Sequence, residues 1–360
     1  MTEYSYGVAG LRFVVSAPES FDIEELLPSF APFLIKDGHF DRLVSLSNHS
    51  DRCSGRFDKL SDHVAPVAVV RQAHQPVEAL GATTAVVRQA HQPVEATDLL
   101  FHFILHQELP RLPKVTKIVE KDENDMGRTV LGETEDGRYC LELGYSEPIE
   151  ADGKDKADTG IFISNRTFSE ISAYIAPTAP HCGLILSSML RISFAQAVIL
   201  RDGVSLHASA VAADGKAFLF LGKSGTGKST HSRMWLRNIP GSHLLNDDNP
   251  AVRVIDGKVV AFGTPWSGKT PCYRNESFPV GGIARLIQSD SDIFTKKEEV
   301  TAFVALLPSC SAIRSDSCLQ SRLYDTIAKI VELVPVGELK CLPDNESALI
   351  CYNNFKSLIK

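Results

Sequence analysis

The sequence predicts an α/β (or α+β) protein in two parts, a β-rich amino-terminal region over about residues 1–195 and a carboxy-terminal α/β region over 196–360. Three observations carry that reading. A chain of 360 residues with 44% hydrophobic and 22% charged positions is long enough for two units and ordinary for a globular protein. Short apolar runs bounded by turn residues dominate the first part. In the second part such runs alternate with helical patterns.

From the amino terminus, residues 8–16 read as a strand, and 128–143 as two strands around the Asp136-Gly137 turn. Between them the string VVRQAHQPVEA occupies residues 69–79 and recurs letter for letter at 86–96. Two identical copies seventeen residues apart do not make a solenoid, whose repeats are longer, more numerous and divergent. The string resembles translated repetitive DNA inserted in frame, so residues 64–97 are expected to form a flexible inserted loop, and no function attaches to His74 or His91. Lengthening a short surface loop about tenfold costs only about 2 kcal/mol of closure entropy, which a sound fold can carry. The polar stretch 150–159 is expected to be a solvated loop, and 183–200 a buried helix with little polar surface.

The second part holds the chemistry. Residues 216–221, KAFLFL, suit a buried strand, 230–238 suit a helix, and between them GKSGTGKS at 222–229 fits the pattern G-x-x-x-x-G-K-[ST]. Gly222, Gly225 and Gly227 let the backbone curl until successive N–H groups, from Lys223, Ser224 and Thr226 through Thr230, point at a phosphate, reinforced by the helix start. Lys228 can then reach the β- and γ-phosphates, and the Ser229 hydroxyl can ligate the accompanying Mg²⁺. The pattern implies ATP with Mg²⁺ as cofactors.

Around this loop lie further candidates. Residues 204–211 read as a strand containing His207, which by itself reads as a core histidine. Residues 243–250 carry Asp247 and Asp248, either a Mg²⁺ ligand beside a proton acceptor or simply good turn chemistry. After a strand at 259–262, Lys269 and Arg274 could neutralise charge on a transferring phosphoryl group, or be solvated surface cations.

Taken together, LHAS at 206–209, FLGKSGTGKST at 220–230, NDD at 246–248 and TPWSGKT at 264–270 resemble the kinase fold shared by HPr kinase/phosphorylase and ATP-dependent phosphoenolpyruvate carboxykinase. The resemblance covers about residues 196–360. It implies a P-loop domain with a mixed sheet flanked by helices, Asp247 as general base, Asp248 with Ser229 as Mg²⁺ ligands, His207 in metal binding or proton transfer, and Lys269 as a second phosphate-binding lysine. It also implies a closing strand at 334–343 and a helix at 344–358. Two departures bear on the acceptor. The first 200 residues lack a dedicated arginine- and lysine-lined organic-acid site of the carboxykinase kind, and residues 278–285 match the glycine-rich segment of HPr kinases only loosely.

The expected activity is ATP-dependent transfer of the γ-phosphate to a hydroxyl of a protein, peptide or small molecule. A catalytically lapsed ATP-binding regulatory module, a scaffold stabilised by nucleotide and a carboxykinase-type reaction are the alternatives. Helicases, switch GTPases and motors are set aside. A net charge of −7 without a basic run speaks against nucleic acid and membrane surfaces as partners, and leaves homo-oligomers open. The eight scattered cysteines, with no C-x-x-C pair, read as reduced thiols. With no signal-peptide pattern at the amino terminus, a cytoplasmic location is expected.

Overall fold

The computed structural model describes residues 1–35, 98–108, 111–124, 127–145, 158–176 and 178–359. The repeated string and most of the polar stretch 150–159 lie outside the described residues. The fold is mixed α/β, with two mixed sheets and several helices.

The first sheet comprises β1 (Thr2–Val8), β2 (Leu11–Ala17), β3 (Asp98–His106), β4 (Val115–Asn124), β5 (Gly127–Thr134), β6 (Tyr139–Gly144), β7 (Thr159–Ser164) and β8 (Glu170–Ile175). Their order is β1-β2-β3-β8-β7-β6-β5-β4, with β3 parallel to both β2 and β8 and the other pairs antiparallel. The single strand expected at 8–16 is instead a hairpin. Ala9 and Gly10 both take positive φ, 55° and 72°, which is what a two-residue hairpin turn requires. A short helix α1 (Ile23–Leu26) follows β2.

Helix α2 (Cys182–Ala197), continued by a 3-10 turn at Val198–Arg201, joins the two sheets. Residues Cys182–Arg201 are long and apolar enough to cross a membrane, yet 67% of that apolar window is buried inside the protein. Ile185, Leu186, Met189, Leu190 and Phe194 belong to one core shared with Phe101, Phe103 and Phe162 of the first sheet and Leu206, Leu219 and Ile283 of the second. The boundary expected at 195/196 falls inside this helix.

The second sheet comprises β9 (Gly203–Ser205), β10 (Ala208–Ala213), β11 (Lys216–Leu221), β12 (His243–Asp248), β13 (Ala251–Ile255), β14 (Lys258–Phe262), β15 (Ser277–Gln288), β16 (Ile293–Lys296) and β17 (Val336–Cys341). Its main path runs β12-β10-β11-β15-β14-β13-β9, and β17 adds parallel to β15. The twelve-residue β15 pairs with β14 through its first part and with β11 and β17 through its second, which ties the sheet together. Four helices complete this half: α3 (Lys228–Asn238), α4 (Glu299–Leu306), α5 (Ser317–Leu333) and α6 (Asn345–Leu358). Helices α3 and α6 cover one face through Trp235, Phe355 and Phe218, while Leu319, Leu323, Ile327 and Ile330 of α5 enter the shared core on the other. Asp344 caps α6 by accepting from the Ser347 N–H at 3.0 Å, so the helix begins where the sequence predicts.

Candidate active site

Residues 222–227 link β11 to α3, and the side chains that gather there come from four separate elements. Gly225 and Gly227 hold φ at +82° and +106°, a backbone that side-chain-bearing residues rarely adopt, and this curls the loop. Gly227 is the N-cap of α3 and no side chain caps the helix, so its first-turn N–H groups face the loop without a carboxylate or hydroxyl from the protein. Beside it lies a pocket of about 280 Å³, walled by Gly225, Thr230, His231, Met234, Leu286 and Leu342. Gln288 closes its edge by donating to the Gly225 carbonyl at 3.3 Å.

Lys228 opens α3 and folds its ammonium back over the loop. Nζ donates to the carbonyls of Gly222 (3.0 Å) and Lys223 (3.4 Å) and lies 3.0 Å from His207 Nε2. Burial pushes the Lys228 pKa below its ordinary value, opposed by the nearby charges of Asp248 and Asp247. His207 reaches it because the strand expected at 204–211 is broken. β9 pairs with β13 while β10 pairs with β11 and β12, and the His207 N–H between them donates to the Ser309 carbonyl at 2.7 Å. The other ring nitrogen, Nδ1, sits 2.8 Å from Asp248 Oδ1. With Nδ1–H donating to Asp248, Nε2 is free to accept from Lys228, and one tautomer satisfies both bonds.

The two aspartates part company at the end of β12. Asp247 is paired in register with Ser209 of β10 and is 3% exposed. Its Oδ1 accepts from the Ser229 hydroxyl at 2.8 Å, and its Oδ2 is buried with no hydrogen-bond partner. Asp248, the next residue, has φ of 146°, a strained backbone for a non-glycine residue. Its carboxylate takes His207 on one oxygen and Asn249 Nδ2, at 2.6 Å, on the other. Asn246 holds this turn from beneath, its carbonyl oxygen accepting from Asn249 N–H at 2.9 Å and its amide donating to the Trp266 carbonyl at 3.0 Å.

The segment after β14 packs directly on these aspartates. Ser267 pairs with Asp248 in an isolated bridge, and the Gly268 N–H donates to the Asp247 carbonyl. A Cβ at Gly268 would lie 2.7 Å from that carbonyl oxygen, so only glycine allows the approach. Lys269 follows, exposed at the rim of the site. Arg274 is not brought there. It pairs with Glu276 at 3.4 Å, and Glu276 also accepts from His243 at the opposite end of β12.

Arg191 is a residue that the sequence reading passed over. It is the one charged side chain in α2, and that isolation was the available signal, because arginine is seldom buried without a partner. Burial pushes its pKa down, opposed first by the charge of Asp248 and then by Tyr145. Behind the loop, His231 is buried against Phe220 (4.7 Å between ring centroids) and accepts from Trp235 Nε1 at 3.1 Å. Its pKa is pushed down to about 4 by desolvation, so it is a neutral packing residue.

Among the described residues no group of three or more His, Cys, Asp and Glu side chains is arranged to hold a metal. A cation that arrives with a nucleotide needs less, since phosphates and water supply most of its ligands. Ser229 with the unpartnered Asp247 Oδ2 is a donor set that fits such an ion.

No protein-family model matches the chain, and no curated protein matches it. Among solved structures, the Hpr(Ser) kinase/phosphatase from Coxiella burnetii matches over 43% of this chain and 89% of that chain, at 13% identity and a TM-score of 0.25. A likeness that loose carries no weight for function.

Proposed function

We propose that the protein is an ATP-dependent phosphotransferase whose carboxy-terminal half, about residues 196–360, is a P-loop kinase domain related to HPr kinase and phosphoenolpyruvate carboxykinase. The observation that carries this reading is the convergence of Lys228 and Ser229 of α3, Asp247 and Asp248 of β12 and His207 of the β9–β10 link at the amino-terminal end of α3. A glycine-rich turn with no function would not gather one buried and one partly exposed carboxylate and two cationic or ionisable groups around one uncapped helix end.

In this proposal the phosphates of ATP lie on the N–H groups of residues 223–230, and the base extends into the pocket walled by Met234, Leu286 and Leu342. Lys228 leaves the loop carbonyls for the β- and γ-phosphates. Ser229 and Asp247 would hold Mg²⁺, which would supply charge neutralisation for the phosphates. This exchanges the roles expected from the family resemblance, because it is Asp247 that shares a hydrogen bond with Ser229. Asp248 is then the general base. Its side chain is 18% exposed where Asp247 as a whole is 3% exposed, so it is the carboxylate an acceptor hydroxyl can reach. His207 orients it, and links it to Lys228. Lys269 stands at the rim, able to swing toward the transferring phosphoryl group. Arg274 takes no part.

The test is transfer of labelled γ-phosphate from ATP into fractionated cell extract by wild type, Asp248→Asn and Lys228→Ala. Incorporation by wild type that both variants lose supports the reading. Equal incorporation by all three, or tight nucleotide binding with no transfer to any fraction, overturns it and favours a lapsed nucleotide-binding module.

A further inference from the structure

The pocket beside the loop has a polarity of its own. Strands β11, β15 and β17 are parallel neighbours, and the pocket opens where all three end, against helix α3. Ligand crevices of parallel sheets lie outside such carboxyl ends. Met234, Leu286, Leu342 and Pro343 give it an apolar wall that suits the face of a planar ring. The donors at the strand ends are already spent. The Ser289 N–H donates to the Cys341 carbonyl at 3.2 Å, the Leu342 N–H donates to Asp292 Oδ1 at 2.9 Å, and Pro343 has no N–H. Thr226 Oγ1 donates to the Lys223 carbonyl at 2.7 Å. Gln288 carries the deciding group. Its Nε2 donates to the Gly225 carbonyl at 3.3 Å, and because a carbonyl only accepts, the amide is fixed with its nitrogen toward the loop. What the amide still offers is one N–H nearer the loop and the acceptor Oε1 farther from it.

We infer that Gln288 makes this site select a 6-amino purine, its Oε1 accepting from the exocyclic amine while its second N–H donates to the neighbouring ring nitrogen. The inference rests on the nucleotide-binding part of the phosphotransferase reading. An amide matches adenine through this donor and acceptor pair. A 6-oxo purine presents the reverse pattern, a carbonyl beside a ring N–H, and so meets an acceptor where it needs a donor. Turning the base over does not rescue it, because the ribose and the phosphates on the loop fix the edge that faces Gln288. The amide also acts on the loop itself, since its bond to the Gly225 carbonyl ties the seated base to a residue whose φ of +82° sets the curl.

The test is calorimetric titration of ADP and of inosine diphosphate, which carries a carbonyl and a ring N–H in place of the amine and bare nitrogen, into the full chain with Mg²⁺ present. Gln288 is exposed at the end of β15, so its variants leave the core untouched. Wild type should bind ADP about tenfold or more tighter than inosine diphosphate, the worth of one or two hydrogen bonds. Gln288→Leu should bring the two affinities within about twofold of each other. Gln288→Lys, which donates to the Gly225 carbonyl but has no acceptor for an amine, should bind inosine diphosphate at least as tightly as ADP. A role confined to holding the loop would weaken both nucleotides together and leave their ratio unchanged. The inference is overturned if wild type binds the two within about twofold, or if the ratio survives in Gln288→Leu or Gln288→Lys. If neither nucleotide binds, the nucleotide site falls and the inference falls with it. Selectivity for ADP that depends on Gln288, in a protein that transfers no phosphate, upholds the inference and sinks the phosphotransferase reading alone.

Discussion

Helices α2 and α3 each carry a cation that feels the charge of Asp248, and they hold it differently. Lys228, at the first position of α3, has two backbone carbonyls and His207 within hydrogen-bond distance. Arg191, in the third turn of α2, has a buried Nη2 with no partner. The hydrogen-bond partners of Lys228 all lie within one half of the chain. Arg191 sits on a helix whose packing spans both halves, and its Nη2 is left without a partner. The contrast separates a cation whose hydrogen bonds are satisfied from one whose burial leaves an N–H unused.

Removing the α3 cation should have the largest effect. Lys228→Ala is expected to lower phosphoryl transfer by about 10²–10³-fold, in steady-state assays, with little change in folding stability because its bonds are to backbone carbonyls and one imidazole. A loss below about tenfold would break the comparison by making the lysine dispensable. Next comes the contact that holds α2 against the segment after β14. Trp266→Ala deletes a fully buried indole between Phe194 and Phe30, and denaturant titration should record a loss of about 3–5 kcal/mol. The more conservative Trp266→Phe should cost less in the same titration, since it loses chiefly the indole hydrogen bond to the Ser187 carbonyl.

The α3 side should also be the acid-sensitive one. His231 titrates near 6.5 in an unfolded chain and near 4 in the fold, so between those values the unfolded state binds more protons. Its contribution is therefore fully present above about pH 6.5 and is lost as pH falls toward 4, by roughly 3 kcal/mol. Urea titrations of wild type and His231→Leu at pH 7.5 and 4.5 should differ in slope with pH, the variant being flatter. The smallest effect is expected at Arg191. Arg191→Met removes a buried charge and keeps its volume, so stability should stay level or rise by about 1 kcal/mol. A clear destabilisation would mean that the guanidinium already has a structural partner.

The same contrast explains what was legible in the sequence. The loop at 222–229 was, because all its requirements are local: glycines at two positive-φ positions, a strand before and a helix after. The tandem aspartates were visible as a pair but their division of labour was not. Successive residues of a strand face opposite sides, and only the pairing of β12 with β10 brings Asp247 to Ser229 and leaves Asp248 to His207. His207 was read inside a continuous strand, whereas the switch of partners between β9 and β10 depends on distant strands. Arg274 looked as suitable as Lys269 from spacing alone, and a local pairing with Glu276 draws it to the far end of β12. Arg191 was the hardest to see. Its neighbours in the sequence describe an apolar helix, and the cleft that it lines is completed by distant residues of β4, β5 and β6.

The central claim is that Ser229 and Asp247 complete a nucleotide-linked Mg²⁺ site at the end of α3. It is tested most directly by titrating ADP into wild type and Asp247→Asn by calorimetry, with and without Mg²⁺. The prediction is that Mg²⁺ tightens ADP binding to wild type by about tenfold or more, and that the variant keeps the Mg²⁺-free affinity and loses the gain. ADP that fails to bind wild type, or an Mg²⁺-linked gain unchanged in Asp247→Asn, would contradict it.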